Sequence, residues 1–324
     1  MGERVDLSVI ILNWNTQDLL EKCLRSLEAP QPGLDFEVIV VDNASEDRSR
    51  EMVRELFPEV RLLGNPMNIG FGAGNNTALP YAVGRYVLFL NSDTVVLEGA
   101  LAALAGYADA HPDIGILGPK LLNADGSLQY SCRRYPNLGT GFFRNTPLGR
   151  LFPKNRFNTD YLMTDWDHAT PREVEWVSGA ALMMRRTLLD EIGSFDEAFY
   201  MYCEDVDLCW RVNHTPLGAG TCWRVAYFPE AVIYHLIGKS SDMVPTRMTY
   251  EFHRSQHLFY KKHYRATTPR LVRPLIPLGI WLRAAGQMAR YKLRYWRKRF
   301  TGEQAPPKRA PKSKRPPTAP EGRP

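Results

Sequence analysis

A chain of 324 residues with 44% hydrophobic content carries enough apolar material for one large core or two modest ones, which excludes fibrous and wholly disordered classes. Its five cysteines (Cys23, Cys132, Cys203, Cys209 and Cys222) lie far apart, form no CxxC pair and leave one over; this suits reduced thiols in a cytosolic compartment better than a disulfide framework. The net charge of +6 is unevenly spread: from Arg283 onward thirteen Lys or Arg stand against two Glu, an excess of +11, so the body of the chain carries −5.

The first apolar run, 9–12, is too brief for the apolar stretch of a signal peptide, so secretion is not expected. Apolar runs and helical patterns then alternate: a strand at 8–12, a helix at 18–27, a strand at 36–41, a helix at 46–57 and a strand at 60–63. A glycine-rich turn leads into a helix over 73–83, followed by a strand at 86–90 and a helix from about 98 to 110. This is the pattern of βαβ units that build a mostly parallel sheet flanked by helices, with no repeat of fixed period.

In such sheets ligands bind beyond the carboxyl ends of the strands. Three of these ends are polar: Asn13-Trp14-Asn15, Asp42-Asn43-Ala44-Ser45 and Asn91-Ser92-Asp93-Thr94. Asn, Asp and Ser also cap helices and form turns, but three such clusters on one sheet edge point to a site. The stretch from Asn68 to Asn76 holds Gly70, Gly72 and Gly74, yet follows the third strand instead of the first, which disfavours a nicotinamide enzyme. It is either a flexible turn into a helix or a place where backbone approaches a donor's phosphates or base.

Further on, 176–186 looks like a strand. Then comes the densest acidic cluster: Glu204, Asp205 and Asp207, flanked by Phe199, Tyr200, Tyr202 and Trp210. Carboxylates held among aromatic side chains are the material of a tuned general base, although acids at a helix N-terminus also favour the macrodipole. On a helix Glu204 and Asp207 share a face that Asp205 does not. His235 follows a strand-like run at 231–234, and beside Asp93 it becomes more than a structural histidine.

The chain's end divides in two. Over 271–300, Leu275, Ile276, Leu278, Ile280, Trp281 and Leu282 precede a run of Arg and Lys, the composition of a helix lying on an anionic bilayer surface; Pro274, Pro277, Arg273 and Arg283 interrupt any spanning segment. The remainder, 301–324, is basic and Pro-rich and is expected to be disordered. No nucleic-acid-reading module precedes it, so nucleic acid is not an expected partner.

Taken in order, the stretches 8–15, 40–45, 68–71 with 74–76, 90–94 and 199–208, closing with His235 and Gly238, resemble the family 2 glycosyltransferases, and within them the bacterial rhamnosyltransferase-like branch that builds cell-wall and surface polysaccharides. The resemblance implies an α/β, GT-A type nucleotide-diphospho-sugar transferase fold over 1–240, with a nucleotide-binding half at 1–120 and an acceptor half at 121–240. A C-terminal helical extension over 241–300 would associate with the inner face of the cell membrane. It implies a nucleotide-diphospho-sugar donor, dTDP- or UDP-linked, a glycan or polyprenyl-diphosphate-linked acceptor, and Mg²⁺ or Mn²⁺ as cofactor.

Residue by residue, the resemblance implies that Asp42 meets the base edge, that Asn13 and Asn15 lie under base and ribose, and that Asn68, Gly70, Asn75, Asn91 and Ser92 complete the nucleotide-sugar wall. Asp93 is similar to the last carboxylate of the family's DxD metal motif, whose first acid is here Asn91, and His235 to the histidine that helps hold the metal or diphosphate. Asp205 is the implied catalytic base, with Glu204 and Asp207 in supporting catalytic roles, and Trp176, Gly179, Glu204 and Arg211 on the acceptor side. Two rivals stay open: a sugar nucleotidyltransferase, which would need a glycine-rich signature with a catalytic Lys or Arg near the N-terminus, and a non-catalytic scaffold or glycan-binding member of the same fold.

Overall fold

The computed structural model of the chain describes residues 5–136, 155–218, 220–236 and 245–301, with the single positions 140 and 151. The tail expected to be disordered, apart from Thr301, and Gly238 lie outside the described residues.

The first half follows the alternation read from the sequence. Strand β1 (Leu7–Asn13) leads to helix α1 (Gln17–Leu27), β2 (Phe36–Asp42), α2 (Ser49–Leu56), β3 (Arg61–Gly64), α3 (Phe71–Asn76), β4 (Tyr86–Asn91), a short β5 (Thr94–Val96) and α4 (Ala100–Ala110). The helix expected over 73–83 is broken: α3 stops at Asn76 and a 3₁₀ turn, Leu79–Tyr81, replaces its end, where Pro80 lacks the N–H a helix interior needs.

The second half holds β6 (Ile114–Leu122), β7 (Leu128–Gln129), β8 (Cys132–Arg133), α5 (Arg156–Leu162), β9 (Arg172–Glu173), β10 (Trp176–Val177), β11 (Ala181–Arg185), α6 (Arg186–Ile192) and α7 (Glu204–Asn213). After these come β12 (Pro216–Gly218), β13 (Thr221–Cys222), β14 (Arg224–His235), α8 (Pro245–Phe259), a π-helical turn (Tyr260–Tyr264) and α9 (Leu275–Thr301). The strand read over 176–186 is two strands, because the chain turns at 178–180 and leaves β10 for the main sheet only at Ala181.

The main sheet runs β3-β2-β1-β4-β11-β6-β14-β5. β1 pairs parallel with β2 and β4, β2 with β3, and β6 with β14, while β11 lies antiparallel between β4 and β6. The strands β1 to β4, β6 and β14 therefore all point the same way. The sheet is buried on both faces: Leu7, Val9 and Ile11 pack with α1, α2 and α4 on one side, and Ile10, Ile39, Val41, Val87 and Phe89 with Phe195, Phe199 and α7 on the other. Each fully buried aliphatic side chain contributes about 1.5–3 kcal/mol. Two-sided burial explains why these strands read as unbroken apolar runs.

Register delivers the site. Asn13 pairs with Asp42, Leu12 with Asn91, Ala181 with Leu90 and His235 with Thr94. The carboxyl ends of β1, β2, β4 and β14, the start of β11 and the residue before β5 thus meet on one edge.

Candidate active site

This edge is strained as well as polar. Among the described residues six non-glycine residues have positive φ, and four of them border it: Asn15 (54°), Ala44 (64°), Tyr202 (71°) and Cys203 (66°). Left-handed backbone of this kind costs of order 1–3 kcal/mol per residue and gathers at functional sites.

At the end of β1 and β2, Asn13 Nδ2 donates to Asp42 Oδ1 (3.2 Å) and to Ser45 Oγ (3.1 Å), and Asn15 Oδ1 accepts from Glu46 N (2.7 Å). Asp42 is buried; its Oδ2 takes Ser45 N (3.1 Å) and forms an ion pair with Arg50 Nε (2.5 Å). Asp42 thus ties the walls of the cleft together, with Arg50 as a partner the sequence reading overlooked. Thr16 also went unnoticed: its hydroxyl donates to Asn13 Oδ1 (2.7 Å) and lies 2.9 Å from Ser92 Oγ, joining the β1 and β4 ends.

Asn68 Oδ1 is a hub that accepts from Asn43 Nδ2, Gly70 N and Tyr200 Oη, each at 3.0 Å. The glycines beside it serve packing. A Cβ on Gly70 would lie 2.4 Å from Tyr200 O, one on Gly72 2.9 Å from Phe195 Cβ, and one on Gly74 2.6 Å from Leu12 Cδ1. The stretch is also the close seat of α3 on β1 and on the segment before α7. Asn75 is buried, its Nδ2 bonded to Phe71 O (3.0 Å) within the same helix.

Across the edge, Asp93 Oδ1 lies 3.1 Å from His235 Nε2, and the other ring nitrogen, Nδ1, lies 2.7 Å from Gln129 Oε1. Asn91 Nδ2 is 3.4 Å from the same Nε2. Among the described residues no group of three or more His, Cys, Asp or Glu forms a cation cage. One carboxylate and one imidazole 3.1 Å apart are nevertheless a donor set that would suit a divalent cation, with Asp93 and His235 as the residues that would hold it.

The acidic cluster divides by environment. Asp205 Oδ2 accepts from Gly179 N (3.0 Å) and Oδ1 from Val206 N (2.8 Å). Burial raises its pKa above the usual 3.8, while those amides and the charge of Arg133 oppose the rise. Glu204 has less support: its Oε2 is buried without a hydrogen-bond partner, and desolvation, followed by repulsion from Asp205, raises its pKa well above 4.5 against the pull of its own backbone N–H. Gly179 belongs to the turn whose next residue, Ala180, accepts the N–H of Asn91 through its carbonyl (2.9 Å). One short turn therefore connects Asp205 to the Asp93–His235 pair.

Asp207, expected in a supporting catalytic role, is turned into the protein. It is fully buried, with Oδ1 2.7 Å from both Lys262 Nζ and His263 Nε2 and Oδ2 3.0 Å from Arg211 Nε. Burial works to raise its pKa, but His263, Lys262 and Arg211 carry it below the ordinary value. Arg211, expected to meet an acceptor, spends its guanidinium on Asp207 and on the carbonyls of Ile192 (2.9 Å), Gly193 (3.3 Å) and Ser194. Trp176 is likewise buried, its Nε1 donating to Arg134 O (2.9 Å) and its ring covered by the Arg133 guanidinium at 5.1 Å. In Asp207, Arg211 and Trp176 alike the polar atoms are engaged with other parts of the protein, through contacts that sequence spacing alone does not show.

Against known proteins, the family model described as Glycosyl transferase family 2 matches residues 8–193. The chain is 30% identical over 266 residues, 78% of its length and 83% of the relative's, to N-acetylglucosaminyl-diphospho-decaprenol L-rhamnosyltransferase of Mycobacterium tuberculosis. It is 26% identical over 216 residues, 63% of its length and 76% of the relative's, to Rhamnosyltransferase WbbL of Escherichia coli. Among solved structures it resembles the mannosyltransferase PcManGT from Pyrobaculum calidifontis in complex with GDP-Man and Mn²⁺ (TM-score 0.53, 18% identity, 90% of this chain and 76% of that one). It also resembles GalNAc-T7 with UDP, GalNAc and Mn²⁺ (TM-score 0.53, 15% identity, 74% of this chain and 45% of that one).

Proposed function

The chain belongs to glycosyl transferase family 2, and from that premise we propose that it is an inverting enzyme moving a sugar, rhamnose by analogy with its relatives, from a dTDP- or UDP-linked donor to a hydroxyl of a polyprenyl-diphosphate-linked glycan. The observation that carries the reading is the 179–180 turn, which bonds the candidate base Asp205 on one side and, through Asn91, adjoins the Asp93–His235 pair on the other.

In this mechanism the base and ribose lie over Asn13, Asn15 and Asp42, and the diphosphate reaches Asp93 and His235. A divalent cation, when bound there, would supply Lewis-acid stabilisation of the charge gathering on the departing diphosphate, worth several kcal/mol. Asp205 receives the acceptor's hydroxyl proton as that oxygen bonds to the anomeric carbon from the face opposite the phosphate. The bond from that carbon to the phosphate oxygen breaks, and its electron pair leaves with the nucleoside diphosphate. Attack from the opposite face inverts the anomeric centre. The amides of Gly179 and Val206 hold the Asp205 carboxylate in one orientation, and its raised pKa makes it a stronger base than an ordinary aspartate.

A membrane surface is the partner proposed for the C-terminal helix. Leu275, Leu278, Leu282 and Leu293 are all more than half exposed, and at 100° per residue they fall within an arc of roughly 60° on α9. With Arg283, Arg290 and Lys292 on the same helix, this is the pattern of an interfacial anchor on an anionic leaflet. No described helix is long and apolar enough to cross a membrane.

The test is a panel of dTDP-rhamnose and UDP-linked sugars, each with a GlcNAc-diphospho-polyprenol acceptor, scored for nucleoside diphosphate release with Mn²⁺ and with a chelator. Acceptor-dependent release from one donor, lost on chelation, is expected. Release of pyrophosphate from a nucleoside triphosphate and a sugar phosphate would instead identify a nucleotidyltransferase.

A further inference from the structure

Behind the Asp93–His235 pair lies a hydrogen-bond chain whose direction is set by its far end. Strands β6 and β7 form a hairpin, pairing Leu121 with Gln129, and its turn runs through Asn123 to Ser127. At the outer end is the carboxylate of Asp125, which only accepts. Ser127 Oγ donates to Asp125 Oδ1 (2.6 Å), so that hydroxyl accepts from Asn123 Nδ2 (2.9 Å). Asn123 Oδ1 must then accept from Gln129 Nε2 (2.9 Å), and Gln129 Oε1 faces His235 Nδ1 at 2.7 Å as an acceptor.

Each link fixes the orientation of the next. Nδ1 of His235 is thereby the protonated nitrogen, and in the neutral ring Nε2 carries a lone pair. That lone pair is directed at Asp93 Oδ1, 3.1 Å away, where two electron-rich atoms face each other. Asn91 Nδ2, 3.4 Å from Nε2, offers that lone pair only a long hydrogen bond and nothing to Oδ1, whereas a cation between Nε2 and Oδ1 satisfies both atoms. The opposite tautomer would place an N–H on Asp93 and close the position with an internal hydrogen bond.

We propose that the 121–129 hairpin is the outer shell of the cation site, and that Gln129 is a positioning residue which holds His235 in the tautomer able to ligate a divalent cation. The proposal rests on the metal reading given above and assigns a task to residues that touch neither donor nor acceptor. Outer-shell partners of a ligating histidine commonly control metal affinity by about 10- to 100-fold.

The experiment uses the full chain. Nitrogen-15 NMR of the histidine rings in metal-free protein, with His235 assigned by a His235→Gln variant, should find Nδ1 protonated and Nε2 bare. Gln129→Leu should shift the proton to Nε2. It should also weaken Mn²⁺ binding, measured by electron paramagnetic resonance with dTDP or UDP present, by about 10- to 100-fold. Gln129→Glu keeps an acceptor on Nδ1 and should preserve the tautomer, with Mn²⁺ affinity falling less than in Gln129→Leu, because its second oxygen can no longer donate to Asn123 Oδ1. A protonated Nε2 in the unmodified protein overturns the proposal, as does a Gln129→Leu protein that binds Mn²⁺ like the parent. Should Gln129→Leu fail to fold, the tautomer of the unmodified protein decides. Failure of the underlying metal reading looks different: the unmodified protein takes up no Mn²⁺ with either nucleotide, whatever the ring's tautomer.

Discussion

Glu204 and Asp205 are adjacent at the start of α7, yet Asp205 accepts two backbone N–H groups whereas Glu204 Oε2 is buried with no donor at all. Two carboxyl groups so close do not both ionise freely, and the donors decide which one carries the charge. Asp205 is the member of the pair better supported as the anion that takes a proton, and Glu204 is pushed toward its neutral form.

Asp205→Asn should lower turnover by about 10²- to 10⁴-fold while leaving the donor KM nearly unchanged, because it removes a proton acceptor but no donor contact. Glu204→Gln keeps the side chain's shape and leaves both backbone donors on Asp205 in place, so it should keep turnover within a few-fold. Steady-state kinetics on the two variants check this. Equal losses would show that the pair does not divide its work in this way.

The same division sets a pH dependence of stability. Glu204 has a folded pKa well above its ordinary 4.5, so its contribution is fully present below about that value and is lost as pH rises through the folded pKa. The Gln variant has no proton to lose. Glu204→Gln should therefore unfold at higher denaturant than the parent at pH 8, with the difference shrinking toward pH 4. A constant difference across that range would contradict the assignment.

Asp207 holds the π-helical turn that follows α8 onto α7 through Lys262 and His263. Asp207→Ala strands those groups and Arg211 without their carboxylate, and breaking a buried ion pair from one side typically costs about 3–5 kcal/mol. Chemical denaturation should register that loss. A purely catalytic Asp207 would lower turnover with an unchanged unfolding midpoint.

If α9 anchors the chain, protein truncated before Leu271 should remain at the bottom of a flotation gradient with phosphatidylglycerol-containing vesicles, while the full chain rises. Raising the salt should release part of the full chain, since the basic residues act over only a Debye length. Equal flotation of both proteins removes the anchor.

Much of this was legible in the sequence, and the reason is physical. Strands buried on both faces write themselves as unbroken apolar runs, so β1, β2 and β4 could be found and the polar residues at their ends named. The family resemblance supplied Asp93, His235 and Asp205. What could not be read were partners brought together by pairing at long range. Gln129 meets His235 across 106 positions, and Arg50 closes on Asp42 by the turn of a helix after β2. The partners of Asp207 and Arg211 come from the π-helical turn at 260–264 and from the backbone of 192–194, contacts the spacing of acids within one helix does not encode. The packing role of Gly70, Gly72 and Gly74 was hidden for a related reason: their lack of a side chain makes room for Tyr200, Phe195 and Leu12, which lie elsewhere in the chain.

The central claim is that Asp93 and His235 jointly receive the diphosphate's cation on the edge that Asp205 faces. Crystals grown with Mn²⁺ and dTDP or UDP, measured at the manganese absorption edge, test it most directly. An anomalous peak within coordination distance of Asp93 Oδ1 and His235 Nε2, bridging to the diphosphate, is the predicted result. A diphosphate bound with no peak between those two residues, or a nucleotide seated away from the Asn91–Asp93 edge, would contradict it.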